Sequence, residues 1–275
     1  MKLIPSIFIT FMFFHLILFS SCEKTVILDL ETADPKLVVE ADINWVKGTL
    51  GNHQVIHLSL STPYYASQAS PVADASSVTV KNSAGLVFNF VPKTVPGEYV
   101  CEDFDARLGE NYELNITYKG EKYSATERLI ECPEISKVIQ NEDGGFAGDE
   151  MEVTMLYTDI SNTDNQYLTV FKSPYTPIPQ LSVFEDKFYK GVQMSASIVE
   201  ERLKRSDVVE IRLEGISKSY FNYMRLSLQN VAGANPFQAI AANAKGNIYN
   251  KDVAGDYALG YFRLSETDVI NYVIQ

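Results

Sequence analysis

From Lys36 to the C-terminus, the chain is dominated by short runs in which apolar and polar residues alternate with a period of two, punctuated by glycine, proline and asparagine. That period puts successive side chains on opposite faces of an extended strand, so each run can bury one face and leave the other to water. Such runs cover Leu37–Trp45, Gln54–Leu60, Ser77–Lys81, Leu86–Val91, Glu98–Glu102, Tyr112–Tyr118 and Lys122–Ile130. Asn82-Ser83-Ala84-Gly85 and the Lys119-Gly120 pair have the composition of hairpin turns, because glycine takes the positive φ that tight connections require. Seven short strands in residues 35–132 predict an N-terminal immunoglobulin-like β-sandwich, two sheets packing alternate side chains into one core. Trp45 precedes both Cys101 and Cys132, so the Cys…Trp…Cys order of antibody domains is absent and the expectation concerns architecture alone.

Cys132-Pro133 closes that segment, and residues 133–275 read as a second β-rich domain with one α-helix, which makes the chain mainly β. Strand-like runs recur at Ile135–Gln140, Met151–Thr158, Tyr167–Ser173, Leu181–Phe184 and Val208–Leu213, with a last one at Tyr257–Leu264. The acidic, glycine-rich stretch Asn141–Glu150 reads as a solvated hairpin loop and matches no EF-hand spacing. Tyr220, Met224 and Leu228 recur at i, i+4, i+8 with Tyr223 alongside, which predicts a helix near 218–231, started by Ser217 or Ser219 and packed on a sheet. Gly233 to Gly260 is rich in Asn, Ala and Gly; a loop so long inside a domain is uncommon and often functional.

The first 21 residues have a different character. Lys2 supplies a positive start, Ile4 to Phe19 are almost wholly apolar, and Phe19-Ser20-Ser21-Cys22 follows. A spanning helix needs about 20 apolar residues. A secretory leader needs only about 7–15 before small residues at a cleavage site, and this segment fits the leader. Small residues immediately before a cysteine resemble the lipobox of bacterial lipoprotein signals, in which the cysteine is diacylated and becomes the new N-terminus; Phe19 stands where Leu, Val or Ile is usual. Residues 1–21 therefore read as a signal peptide, Cys22 as the site of a covalent diacylglycerol and acyl anchor, and 22–34 as an acidic lipidated tether. Two acyl chains hold a protein on a membrane stably where one does not.

The chain carries 23 basic and 35 acidic residues, a formal charge of −12, and loss of Lys2 with the leader makes it one unit more negative. That sign argues against nucleic acid, whose phosphates need Lys and Arg patches. Cys101 and Cys132 remain after the anchor. An even pair in an oxidising compartment invites a disulfide, and a pair of free thiols fits the same spacing. His53 and His57 have i, i+4 spacing but lie in a strand-like run, where four residues separate the rings by roughly 13 Å, too far for one ion. We therefore expect no metal or other cofactor. Histidine is otherwise confined to His15 in the leader, and no H-E-x-x-H, G-x-S-x-G or Walker-type loop is present, so the expectation is a protein that is not an enzyme.

Cys22-Glu23-Lys24 followed by Asp34-Pro35-Lys36-Leu37-Val38-Val39-Glu40 resembles the start of the Bacteroidota lipoproteins grouped as domain of unknown function family 4249. The resemblance continues through Ser61-Thr62-Pro63-Tyr64-Tyr65, Gly97-Glu98-Tyr99, Gly109-Glu110-Asn111-Tyr112-Glu113-Leu114 and Ser219-Tyr220-Phe221-Asn222-Tyr223. It ends in the Pro236…Gly246-Asn247-Ile248…Gly260-Tyr261-Phe262 tail. The usual Asn-Gly before the terminal Gly-x-Phe is replaced here by Asp252-Val253-Ala254-Gly255-Asp256. The family has no assigned activity and no catalytic residues to carry over. The resemblance implies a lipid-anchored protein of the outer membrane, on its periplasmic or cell-surface face. It also implies a non-enzymatic accessory or binding subunit of a SusC-like TonB-dependent transporter, handling an unknown small ligand. A surface adhesion or assembly module binding protein or glycan is a second reading, and a carboxylate-based hydrolase a third. Tyr64, Tyr65, Tyr175, Phe237 and Tyr249 are the expected interaction surface, since tyrosine is enriched at recognition surfaces.

Overall fold

A computed structural model describes residues 34–63, 70–160, 163–187, 190–232 and 244–275. Pro35 to Gln275 form one compact unit. The chain is mainly β, with fifteen strands and one helix among the described residues. The first seven strands are β1 Leu37–Val46, β2 Gln54–Leu60, β3 Ser77–Asn82, β4 Val87–Pro92, β5 Glu98–Cys101, β6 Asn111–Tyr118 and β7 Glu121–Ile130. All seven fall where alternation places them. In β1, Leu37, Val39, Ala41 and Ile43 are buried, while Val38, Glu40, Asp42 and Asn44 face the other way. Lys119 and Gly120 both take positive φ, 49° and 85°, as a tight two-residue hairpin requires.

The sandwich expected for 35–132 is corrected by how these strands join. Neighbours pair in the order β1-β2-β5-β4-β3-β6-β7, and an eighth strand, β15 (Leu259–Val273), enters between β1 and β7 and closes the sheet on itself. It runs parallel to β1, from Val38 opposite Leu259 to Val46 opposite Thr267, and pairs with β7 at Leu264 and Ser265. Closure removes the open edges that β1 and β7 would otherwise present. The enclosed core takes Ile43, Ile56, Leu58, Phe104, Tyr112, Leu114, Ile116 and Leu129 together with Phe262 and Leu264 from β15. Full burial of side chains of this size contributes roughly 1.5–3 kcal/mol each, so β15 is a structural part of a barrel built otherwise from the first half of the chain.

The second half of β15 changes partners. From Thr267 onward it pairs antiparallel with β13 (Val208–Ile216), which continues to β10 (Gln166–Lys172) and the edge strand β11 (Gln180–Glu185). A three-stranded sheet, β8 (Ile135–Gly144), β9 (Glu150–Thr158) and β12 (Gln193–Val199), shares a second core with this extension through Val153, Met155, Tyr157, Tyr167, Ile211 and Leu213. The stretch from Asn141 is strand to Gly144, with a bulge, and then a short turn. β12 has no counterpart in the expected strands because Gln193-Met194-Ser195-Ala196-Ser197 carries too little apolar contrast to show a period. Helix α1, Lys218–Ala232, lies where its i, i+4 stripe predicts. Ser217 caps it: its Oγ accepts the Tyr220 N–H at 3.1 Å.

The tail motif gains a structural reason. Gly260 has φ +87°, and a Cβ there would sit 2.1 Å from the Val39 carbonyl oxygen; a Cβ on Gly246 would sit 1.9 Å from the Gly260 oxygen. Between them, the Asn247 side chain donates to the Phe262 carbonyl at 2.8 Å and accepts the Phe262 N–H at 2.9 Å. One side-chain amide thus stands in for a strand along the stretch of β15 that precedes its contact with β7. Strand β14, Tyr249–Asn250, pairs with Tyr123 and Ser124 on the edge of β7 that β6 leaves free, the edge that β15 joins further along.

Candidate functional site

Helical spacing puts Tyr220, Tyr223 and Met224 on one face of α1, and this face meets the outer surface of the barrel beside β15. Tyr261 is their contact: its ring lies 4.9 Å from Tyr220 and 4.8 Å from Tyr223, centroid to centroid. Next to this cluster opens a cleft of about 850 Å³. It is floored by the outward residues Val38, Glu40, Asp42 and Asn44 of β1 and Val55 and His57 of β2, and walled by Tyr220, Tyr223 and Met224. Glu40 and His57 are cross-strand partners, and both are exposed. The volume falls within the range of small-ligand sites, and apolar or aromatic walls with a few convergent polar groups are their usual chemistry.

The polar floor is braced at its β15 side by Arg263, which faces outward beside Asp42. Its guanidinium donates to Asp42 Oδ1 at 2.9 Å and Oδ2 at 3.2 Å, and also to Glu214 and to Ser265 Oγ; it lies 5.0 Å from the centre of the Tyr220 ring. The side chain is 7% exposed and that of Glu214 1%. Burial alone would favour loss of the proton, but Asp42 and Glu214 overcome it and hold the guanidinium well above its ordinary range. Register explains the pairing: Asp42 lies opposite Arg263 in the β1–β15 ladder. Glu127 completes the rear of the cluster. Its Oε2 accepts from Ser217 Oγ at 2.9 Å and is 3.4 Å from the Tyr261 hydroxyl, and burial raises its carboxyl above the usual carboxylate range.

The cleft can bind through aromatic faces, carboxylates and imidazoles. Its described lining offers no serine, cysteine or lysine nucleophile. His53 at the rim is bound to Glu102, Nδ1 to Oε2 at 2.7 Å, and this hydrogen bond lowers the Glu102 carboxyl. Sequence reasoning noticed the α1 stripe only as a packing face. Arg263 and Asp42 lie 221 positions apart, and nothing local marks either; a single arginine inside Tyr261-Phe262-Arg263-Leu264 was the available signal.

Of the remaining expected site residues, those described do not gather at the cleft. Cys22, Tyr64, Tyr65 and Phe237 lie outside the described residues. The disulfide considered for Cys101 and Cys132 is absent: both are buried free thiols, one in each core. Cys101 Sγ lies 3.2 Å from Asp103 Oδ1, and burial pushes its thiol up to about 11. Cys132 Sγ donates toward the Pro133 and Leu213 carbonyls at 3.0 Å each, and burial raises its thiol further. Tyr175 is engaged on both ends, its hydroxyl donating to Asp207 Oδ2 at 2.7 Å and its ring 5.3 Å from the Arg202 guanidinium carbon. Tyr249 is exposed, with Lys245 Nζ 5.0 Å from its ring centre. Among the described residues no helix is long and apolar enough to cross a membrane.

Residues 23–270 match the family described as "Domain of unknown function (DUF4249)". No curated protein matches the chain. Solved structures similar to it include a two-domain fibronectin type III segment of chicken tenascin, 11% identical over 68% of this chain and 89% of that one, with a TM-score of 0.21. A cytokine receptor complex is 10% identical over 67% of this chain and 85% of that one, with a TM-score of 0.26. At such identities and TM-scores the likeness carries no argument about function.

Proposed function

We propose, of a chain that belongs to the DUF4249 family, that it is a lipid-anchored binding protein of the bacterial outer membrane, a non-enzymatic accessory subunit that presents a small ligand to a TonB-dependent transporter. The observation that carries the binding role is the cleft between α1 and the outer face of β1 and β2. It has the size of a ligand site, the half-buried ring of Tyr223 backed by the buried Tyr220 and Tyr261 to stack against a ring or a cation, and the carboxylates of Glu40 and Asp42. The anchor rests on the apolar leader that ends in Ser20-Ser21-Cys22, and the acidic tether 22–34 gives the domain reach from the membrane. The transporter partner and a Bacteroidota origin come from the family resemblance.

The test is gentle detergent extraction of the native outer membrane, followed by size separation. A complex with a large barrel protein is the expected result, with the Cys22→Ala chain released to the soluble fraction. Recovery only as a free monomer, with the cysteine intact and acylated, would overturn the transporter role while leaving the anchor standing.

A further inference from the structure

Four carboxylates among the described residues are 6% exposed or less: Asp159, Asp186, Glu214 and Glu266. Glu214 pairs with Arg263 and Glu266 with Lys47, whereas Asp159 and Asp186 have no cation among the described residues. The lysines beside Asp186 in the chain, Lys187 and Lys190, pair instead with Glu185 at 3.1 Å and Asp164 at 2.7 Å. Asp159 follows β9 and Asp186 follows β11, so the two acids come from different sheets. They meet where four strand ends converge, with Asn165 just before β10 and Gly191 just before β12.

Asn165 bridges the two acids. Its backbone N–H donates to Asp186 Oδ1 at 2.8 Å, and its side-chain amide reaches Asp159 Oδ1 at 3.4 Å. Asp159 Oδ1 also accepts the Tyr167 hydroxyl at 2.6 Å, and its Oδ2 the Gly191 N–H at 3.0 Å. Asp186 is 0% exposed, yet its Oδ2 has no donor among the described residues. The two carboxyls are within hydrogen-bonding reach of each other, and burial, then the charge of Asp159, raises the Asp186 carboxyl above the usual carboxylate range. The Tyr157 hydroxyl, fully buried and likewise without a partner, lies in the field of both acids. Two buried carboxylates facing each other with no positive charge between them repel in a setting where water cannot hydrate either, so the arrangement asks for a cation.

We infer that Asp159 and Asp186 hold one calcium ion between them, which clamps the ends of β9 and β12 to those of β10 and β11. The donor set is oxygen only, the chemistry of a hard cation and not of zinc. No third His, Cys, Asp or Glu among the described residues completes a cluster, so carbonyl oxygens fill out the shell; those of Ile160 and Thr163, both bonded to the Asn165 amide, lie in the same loop. Calcium accepts such irregular carbonyl ligands, whereas magnesium keeps several waters, for which a pair this buried leaves no room. A cation bound at about 2.4 Å fits between oxygens that a water molecule cannot reach. This site stands apart from the cleft at the tyrosine cluster and does not depend on it.

The experiment is thermal unfolding of the full chain, stripped of metal with a chelator and then titrated with calcium chloride, with magnesium chloride and sodium chloride at matched ionic strength as controls. Calcium is expected to raise the midpoint saturably above both. Asp186→Asn is expected to weaken the calcium affinity roughly tenfold or more, the loss of one charged ligand, while its midpoint without metal stays at or above that of wild type because the amide relieves the repulsion. Should Asp186→Asn not fold, terbium on the wild-type chain decides: Tyr167, bonded to Asp159, should sensitise its luminescence, and calcium but not magnesium should displace it. A midpoint indifferent to calcium, a wild-type calcium response in Asp186→Asn, or terbium that calcium does not displace would overturn the assignment. A chain that loses stability as pH rises through the raised Asp186 range and ignores calcium would give the pair a shared proton in place of the ion, and would overturn it equally.

Discussion

Arg263 shows most clearly how one side chain can tie distant segments together. It is a buried cation that borrows one carboxylate from β1 and one from β13, and its charge is matched only while all three strands are in register. Removing one member of a buried ion pair is costly because the other is left charged without compensation. Arg263→Met should destabilise the fold by about 3–5 kcal/mol in urea unfolding, and adding Glu214→Met should recover most of that loss. An Arg263→Met chain within 1 kcal/mol of wild type, on the order of an exposed pair, would show that the network is solvated after all. None of this was visible in the sequence, since ion pairing across 221 positions follows from strand register. The thiols teach the converse: Cys101 and Cys132 have a spacing that permits a bridge, yet they are assigned to separate cores, where each packs as a small apolar side chain.

Among the elements, β15 and the residues that seat it matter most. The alternation that predicts a strand at Tyr257–Leu264 fades beyond it because Ser265, Glu266 and Thr267 are buried polar residues, and the strand runs to Val273. Asn247 and Gly260 explain why the tail can approach β1 and β15 so closely. Gly260→Ala would force a side chain into a left-handed backbone position and onto the Val39 carbonyl, so we expect a loss of about 3 kcal/mol or more, or failure to fold. Asn247→Leu leaves both Phe262 backbone groups unpaired and should cost about 2–4 kcal/mol, two unmade bonds at about 1–2 kcal/mol each. Thermal unfolding of both variants checks this, and a midpoint shift of under about 2 °C in either would contradict the seating role. Strands β1 to β7 and α1 were legible because their amphipathic periods are strong; β12 was not, because its polar and small residues give no contrast.

At the scale of the molecule, β15 makes the two halves interdependent, since its first part closes the barrel and its second part carries the sheet of β13, β10 and β11. The seven strands of residues 35–132 contain every turn and most of the core of that barrel, but they leave β1 and β7 with unpaired edges and the core without Phe262 and Leu264. A 35–132 fragment should therefore give the poorly dispersed amide proton spectrum of an unfolded or associating chain, and an added peptide spanning 244–275 should restore dispersion. Well-dispersed amide resonances from the fragment by itself would mean that the first half closes without β15. The sequence alone determined the strands of strong period, the placement of the hairpin turns, the helix at 218–232, the acidic balance and the lipobox-like leader, because these depend on local period and composition. Only the tertiary structure decided that the N-terminal strands close into a barrel, that Arg263 pairs with Asp42 beside the cleft, and that Cys101 and Cys132 fall in separate cores. Each of these depends on which distant edges pair, and a backbone edge offers the same N–H and C=O groups whatever its side chains, so nothing in one strand names its neighbour.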